Sequence, residues 1–352
     1  MRAAVYERFG GPIEVRDVTD PGLAAGEVVV ATLAVGLCRS DLHGWKGTDP
    51  DIVCPHVGGH EFVGRVVAVG SGVSRVREGD RIVAPFVCGC GRCEPCLQGQ
   101  HQVCRHQEQP GFTRWGAFAG FTAIPFADVN AVVVPDDVPD AVAALVGCRV
   151  STAYRGVVER GRLAAGEVLC VYGCGGVGLV TIALGRALGA RVVAVDVNPV
   201  ALALATALGA DDVVDASARD SASSVRDLTG GAHVSIDCLG HASTAAASIR
   251  SLRPLGRHVQ IGLFPAPTAE LPVSLVIRDE LQILGVHGLS ASRIPEVFAL
   301  MRVGRLDLAG LITRELSLDD VPDALPGMDR FAQPGVSVVT SGFGAPAPAL
   351  SR

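Results

Sequence analysis

Five of the eleven cysteines fall in the stretch "CGCGRCEPCLQGQHQVC", residues 88 to 104. Cys90, Cys93, Cys96 and Cys104 stand in the spacing C-x-x-C-x-x-C-x7-C. Four thiolates from one short loop suit a closed tetrahedral zinc site with no open position. An iron–sulfur cluster is the competing reading of such closely spaced cysteines. Cys88 is a fifth thiol that the pattern does not use. A second set of donors is scattered: Cys38, Ser40, Asp41 and His43 in "VGLCRSDLHGW", His60 and Glu61 in "PHVGGHEFVG", and Cys148 in "VGCRVSTAYRG". Two thiolates and an imidazole make a three-ligand zinc site whose fourth position stays free for a reacting group. Taken singly, each of these residues is more often structural: a buried cysteine, a capping serine, a satisfied histidine.

A third pattern belongs to a cofactor. "VLCVYGCGGVGLVTIALG" places Gly173, Gly175 and Gly178 in G-x-G-x-x-G order, after an apolar strand pattern and before a helical one. Glycines there, with Gly176 and Val177 between them, permit a tight turn and the approach of a pyrophosphate to the helix N-terminus. The stretch "RVVAVDVNP" then supplies a second strand ending in Asp196. An acid at that point hydrogen-bonds the adenosine ribose and repels a 2′-phosphate, which favours NAD over NADP. The structural alternative is a plain glycine turn beside a surface aspartate.

These groups need a scaffold that joins residues far apart in the chain. A length of 352 residues suggests about two domains. Up to about residue 145, short strand patterns such as "EFVGRVVAVG" and "GDRIVAPFV" are broken by Gly, Pro and Asp, which predicts an antiparallel, barrel-like unit. Beyond about residue 150, apolar strands alternate with Ala-rich helical stretches, which predicts an α/β fold with a doubly wound parallel sheet. From about residue 290, "SRIPEVFALMRVG" reads as helical and closing strands follow, able to rejoin the first unit. The net charge of -6, with no basic run, argues against nucleic acid and anionic membranes as partners. The N-terminus reads as a strand, not a signal peptide, and no apolar run reaches the roughly 18–20 residues of a bilayer span. The expected location is therefore the cytoplasm, where thiols stay reduced. The Ala/Pro/Ser-rich tail "GAPAPALSR" reads as disordered.

With these motifs in this order, the chain resembles the zinc-dependent medium-chain alcohol dehydrogenases over nearly its whole length. The family's C-x-[ST]-D corresponds to Cys38-Arg39-Ser40-Asp41, its G-H-E to Gly59-His60-Glu61, its four-cysteine lobe to Cys90 through Cys104, and its dinucleotide turn to Gly173 through Gly178. The resemblance implies a GroES-like catalytic domain over 1–148, with the zinc lobe at 88–104, and a Rossmann NAD-binding domain over 149–288. Residues 289–352 would return to the catalytic domain. Two zinc ions per chain are implied. One is catalytic, on Cys38, His60 and Cys148, with Glu61 as an alternating or neighbouring ligand; the other is structural, on Cys90, Cys93, Cys96 and Cys104.

The same resemblance gives Ser40 and His43 a proton relay, Asp41 the orientation of His60, and Arg39 a contact with the pyrophosphate. Thr152 and Val177 would pack near the nicotinamide. Trp45 and Phe86 are expected at the substrate pocket, with ordinary packing as the alternative. Zinc would bind the alcohol oxygen and lower its pKa, and a hydride would pass to NAD. Relatives acting on polyols or threonine commonly carry an acid where this chain has Cys148; the cysteine resembles the branch acting on simple, benzylic and allylic alcohols. Two departures bear on cofactor affinity: "GVSVVTSGF" lacks the basic residue that many relatives present to the pyrophosphate, and Ala201 stands where NAD-linked relatives often place a lysine.

Two other functions compete: an NADPH-dependent quinone or enone reductase of the same fold without catalytic zinc, and a non-catalytic NAD-binding zinc protein. The expected substrate is a small alcohol or aldehyde. A homodimer or homotetramer is expected, because the last strand of the doubly wound sheet, "LQILGVHG", leaves an apolar edge.

Overall fold

The apolar strands of the second half lie side by side in parallel. In this computed structural model, which describes residues 1–264, 268–330 and 334–344, they form a six-stranded sheet. Its order is Asp212–Asp215, Arg191–Asp196, Val168–Tyr172, Ala232–Asp237, Leu252–Gln260 and Gln282–Gly285. Numbered along the chain, that is 3-2-1-4-5-6, the doubly wound arrangement whose ligand crevice opens at the carboxyl ends of the first and fourth strands. Val168–Tyr172 is buried along its whole length, as a strand covered on both faces must be. The helices between strands carry their own start signals. Asn198 caps Pro199–Ala207, accepting the Val200 and Ala201 amides, and proline takes the first turn where its missing N–H costs nothing. Asp220 caps Ser221–Thr229, which ends on Gly230 at φ +73°.

The first half and the last strands build a second sheet, ordered Ile312–Ser317, Val336–Ser341, Val28–Gly36, Phe62–Val69, Arg81–Val83 and Val132–Val133, with Phe121–Ile124 also pairing Val28–Gly36. The pairings are antiparallel, as the strand pattern predicts, with one exception. Ile312–Ser317 and Val336–Ser341 run parallel, because the helix Val321–Gly327 crosses between them. Val338 and Val339 pair with Gly36 and Val35, so the C-terminal strand lies against the strand that leads into Cys38. The tail from Ala345 onward, which reads as disordered, lies outside the described residues.

One hydrophobic core joins the two sheets. Ala34, Val63 and Val83 of the mixed sheet and Leu169, Val171 and Ile236 of the parallel sheet belong to the same buried cluster as Ala143, Leu145, Val150 and Val157. The helices Asp140–Ala144 and Arg149–Tyr154 are therefore the seam, and Cys148 sits inside it. At the far side, Gln282–Gly285 is the outermost strand, and Ile283 is 40% exposed. The helix Val273–Arg278 before it buries none of its residues. Among the described residues no single helix is long and apolar enough to cross a membrane.

Candidate functional site

Cys38 follows the strand Val28–Gly36 and caps the helix Arg39–Trp45, with extended backbone at φ -119° and ψ 150°. Asp41 sits three residues on and folds back, its Oδ2 accepting the Cys38 amide at 3.2 Å. Its Oδ1 accepts both the Gly59 amide and His60 Nδ1, each at 2.9 Å. Gly59 adopts φ +94°, and a β-carbon there would lie 2.5 Å from the Phe118 amide nitrogen, so only glycine passes the chain through. One buried carboxylate thus fixes the start of the helix, the glycine turn and the histidine ring. Nδ1–H on the aspartate leaves Nε2 as the free acceptor, the usual preparation of a metal-binding imidazole. His60 Nε2 is buried and has no hydrogen-bond partner.

Cys148 arrives from the seam between the sheets. It stands at φ -129° and ψ -80° between the short turn Leu145–Gly147 and the helix Arg149–Tyr154. A β-carbon on Gly147 would meet the Ala84 carbonyl at 2.4 Å. The Cys38 and Cys148 sulfurs and a His60 ring nitrogen all lie within 4.8 Å of one another. The hydrogen bond with Cys148 pulls the Cys38 thiol well below the ordinary range, helped by His60 and opposed by burial. The same bond, with burial, pushes Cys148 up. A half-buried and a buried sulfur with an unpartnered imidazole nitrogen fit a divalent cation, which would satisfy all three.

Glu61, expected as an alternating or neighbouring ligand, has its carboxylate turned to Arg149. Arg149 Nε reaches Oε1 and Oε2 at 2.8 and 2.7 Å, and the Arg149 amide reaches Oε1 at 2.8 Å. Arg149 Nη2 also bonds Glu61 Oε2 and reaches the Leu37 carbonyl at 2.9 Å. Glu61 is fully buried and Arg149 is 4% exposed. Burial works against the charge on Arg149, and the Glu61 carboxylate more than offsets it, holding the guanidinium protonated. A buried carboxylate and a buried guanidinium satisfy one another through charge-assisted hydrogen bonds. Arg149 is the residue that sequence reading missed. Its signal is present: it is the one charge in the apolar run "AVAALVGCRVSTAY", and such a charge needs a partner.

The remaining positions fall in place around this centre. Ser40 and His43 are half-buried on the helix Arg39–Trp45, three positions apart and so on one face. Burial, then the nearby Arg39 charge, lowers the His43 pKa below its ordinary value. Arg39 is exposed at the start of that helix. Phe86 stands edge-on to His60 with ring centroids 6.0 Å apart. Phe112, not anticipated from sequence, packs on the same imidazole at 4.8 Å. Phe86 also meets His287 at 5.3 Å. Trp45 packs on the core of the mixed sheet, and its Nε1–H is taken by the Gly11 carbonyl at 2.9 Å, which is the packing alternative for this residue.

The glycine turn closes tightly. Gly173 has φ +91°, Gly175 caps the helix Gly176–Ala187, and a β-carbon on Gly178 would fall 1.8 Å from the Gly173 carbonyl. One on Gly176 would fall 2.4 Å from Arg149 Nη1, so the arginine beside Cys148 also touches the turn. Thr152 donates its amide to the Cys148 carbonyl at 2.8 Å, and Val177 packs at the margin of the shared core. Asp196 accepts three amides: Cys174 at 2.7 Å, Val197 at 2.7 Å and Asn198 at 2.9 Å. A carboxylate has about four acceptor positions, which leaves room for a ribose hydroxyl.

The other cysteine group is a separate cage. The sulfurs of Cys90, Cys93, Cys96 and Cys104 lie within 4.8 Å of one another, with Cys93 3.5 Å from Cys96 and 3.6 Å from Cys104. Cys104 Sγ accepts the Cys90 and His106 amides at 3.3 and 3.2 Å. Backbone donors of that kind steady thiolates. Four sulfurs so grouped are the donor set of a closed tetrahedral zinc site. Cys88 is fully buried, its thiol pushed up by burial, with its sulfur 3.5 Å from the Pro85 carbonyl. The cage docks on the segment after Gln282–Gly285: the His101 amide reaches Ser290 Oγ at 3.0 Å, and His287 Nδ1 meets the Gln102 carbonyl at 3.0 Å.

The chain is similar to known proteins along most of its length. Residues 24–136 match the family model "Alcohol dehydrogenase GroES-like domain", and residues 176–302 match "Zinc-binding dehydrogenase". An alcohol dehydrogenase of Geobacillus stearothermophilus is 34% identical over 289 residues, covering 81% of this chain and 84% of that one. An L-threonine 3-dehydrogenase of Bacillus velezensis is 31% identical over 332 residues, covering 91% and 93%. The solved alcohol dehydrogenase TADH from Thermus sp. ATN1 superposes with a TM-score of 0.90 at 31% identity, over 97% of this chain and 100% of that one.

Two measurements check this reading of the site. Arg149→Met leaves a buried carboxylate unpaired and is expected to cost about 3–5 kcal/mol in urea unfolding. Adding Glu61→Gln should recover a good part of that loss; additive losses would show that the pair is not a unit. Cys93→Ser should lower the thermal midpoint by on the order of 5 °C before it lowers turnover at moderate temperature. Unchanged stability with lost turnover would assign the cage to the chemistry instead.

Proposed function

The chain belongs to the zinc-dependent medium-chain alcohol dehydrogenase family, oxidoreductases acting on CH–OH groups, and from that premise we propose that it oxidises simple primary, secondary or aromatic alcohols reversibly to aldehydes or ketones with NAD. The observation that carries this reading is His60 Nε2, buried, unpartnered and grouped with the Cys38 and Cys148 sulfurs. Those three residues would hold a catalytic zinc, and Cys90, Cys93, Cys96 and Cys104 a structural one. Gly173, Gly175, Gly176, Val177, Gly178, Thr152, Arg39 and Asp196 would hold the dinucleotide. When bound, zinc supplies a Lewis acid for the alcohol oxygen and the nicotinamide supplies the hydride acceptor.

The chain's own residues do the rest. Asp41 accepts the Nδ1 proton of His60, so Nε2 is the atom that a cation would take in place of a proton. Phe86 and Phe112 flank the imidazole and exclude water from it. Ser40 receives the proton of the alcohol and His43, one helical turn on, carries it toward solvent. Asp196 discriminates against a 2′-phosphate by its charge. Cys148 stands in place of the acid that the resemblance associates with polyol and threonine oxidation, which supports the simple-alcohol branch. None of the eleven cysteines is in a disulfide, which suits a reducing, cytoplasmic setting. The exposed edge strand Gln282–Gly285, with Ile277 74% exposed on the helix before it, is the face we assign to self-association.

Three tests follow from this proposal. In steady-state assays of primary, secondary and benzylic alcohols and L-threonine, simple alcohols with NAD should give the highest kcat/KM. Preference for L-threonine or for NADP would overturn the assignment. Because burial and Arg39 depress His43, its neutral form persists below the ordinary value of about 6.5. Alcohol oxidation should therefore stay high to below that pH and fall only as His43 protonates. His43→Gln should remove this limb and lower kcat by about 10²-fold; an unchanged profile would exclude the relay. Light scattering after size exclusion should give a dimer or tetramer mass, and a monomer would contradict the edge assignment.

A further inference from the structure

At the amino ends of the parallel strands, opposite the glycine turn, lies a cleft of about 520 Å³ lined by Arg162, Glu167, His233, Arg253, Arg257 and Gln282, with Pro254 and Leu255 beside them. Its charges do not cancel. Glu167 is engaged internally: Oε1 takes Arg257 Nη2 at 2.5 Å and Oε2 takes the Ala164 amide at 2.9 Å. Among the described residues the Arg162 side chain donates to a neutral acceptor, Gln282 Oε1, at 2.7 Å. No carboxylate lies within salt-bridge distance of Arg162 or Arg253 among the described residues. Two guanidinium charges are therefore left over.

The histidine gives the second, independent observation. The Val168 amide donates to His233 Nδ1 at 3.0 Å, so the single proton of the neutral ring must be on Nε2. Burial, then Arg253, lowers the His233 pKa and keeps the ring neutral. Yet Nε2 faces Arg253 Nη1 at 2.7 Å, which puts one N–H donor against another. Arg257 Nε, on the same cleft wall, is buried without any partner. Two donors that face one another without an acceptor between them, beside a third that is unpartnered, are an arrangement that an oxyanion resolves.

We infer that this cleft is a second ligand site, separate from the reaction centre, that takes a phosphate group on Arg253, Arg162 and His233 Nε2–H. The phosphate is either free or carried by a small phosphomonoester. The volume favours the ester, since sites of roughly 300–1,000 Å³ hold small molecules, and Pro254 and the 68%-exposed Leu255 offer an apolar wall for a short carbon skeleton. Arginine forks match tetrahedral oxyanions in a way that lysine does not. A bound phosphate would tie together the starts of Val168–Tyr172, Ala232–Asp237 and Leu252–Gln260, and so stiffen the cofactor-binding sheet from its far end.

Calorimetric titration of the full chain with glycerol 1-phosphate and, separately, inorganic phosphate, at fixed ionic strength set with chloride, tests this. Saturable one-to-one binding is expected, weakened at least about tenfold by Arg253→Ala and likewise by Arg162→Ala, with alcohol oxidation in phosphate-free buffer unchanged in both. Tighter binding of the ester identifies an organic phosphate as the ligand, and equal or tighter binding of inorganic phosphate identifies the free ion. Absence of saturation with both, or wild-type affinity in both variants, overturns the site.

Discussion

A carboxylate and a guanidinium, both shut away from water, hold this molecule's working parts in register. Glu61 is the residue after His60, and Arg149 is the residue after Cys148, so one ion pair clamps two ligand-bearing segments that lie 88 positions apart. The clamp reaches further. Gly36 has no β-carbon because one would sit 2.4 Å from Glu61 Oε2, and Gly176 has none because one would sit 2.4 Å from Arg149 Nη1. The strand leading to Cys38, the histidine turn, the seam helix and the dinucleotide turn therefore all close on the same pair of charges. Such a pair, buried and doubly hydrogen-bonded, adds little net stability over an apolar substitute. What it supplies is a fixed geometry, since either charge alone would be costly to leave unpaired.

On that frame the three donors differ in how they are prepared. His60 is oriented by Asp41 and walled by Phe86 and Phe112. Cys38 is set by a helix cap, and Cys148 by a break between two short helical turns. Three unrelated local structures thus converge on one small volume, and that volume lies where the two sheets share their core. The four-cysteine cage is built the opposite way, from a single loop whose own amides point at its sulfurs. The four-cysteine group is set by its own loop, and the trio is assembled by the fold.

Much of this was legible in the residues. Alternating apolar strands and Ala-rich helices foretell the parallel sheet, and the spacing of Cys90 to Cys104 foretells the cage. Two members of the candidate trio Cys38, His60 and Cys148 sit in short motifs, and the structure brings the same three together. What was not legible depends on contacts between distant segments. Glu61 sits next to a ligand, which suggests the metal, but its nearest charge is Arg149, and no local pattern links positions 61 and 149. Phe112 reaches His60 only through the packing of a loop, and the parallel pairing of the last two strands follows from a crossover helix that carries no distinctive motif. Trp45 shows the converse. An aromatic near a ligand invites a place in the substrate pocket, but its indole N–H is committed to Gly11.

The central claim is that the scattered trio is an open metal centre distinct from the cage. Zinc stoichiometry in the purified chain and in Cys148→Ala, measured by elemental analysis alongside thermal stability, tests it most directly. The account predicts two zinc ions per wild-type chain and one in the variant, with stability largely kept and alcohol oxidation lost. One zinc or none in the wild type, or two zincs with full turnover in the variant, would contradict it.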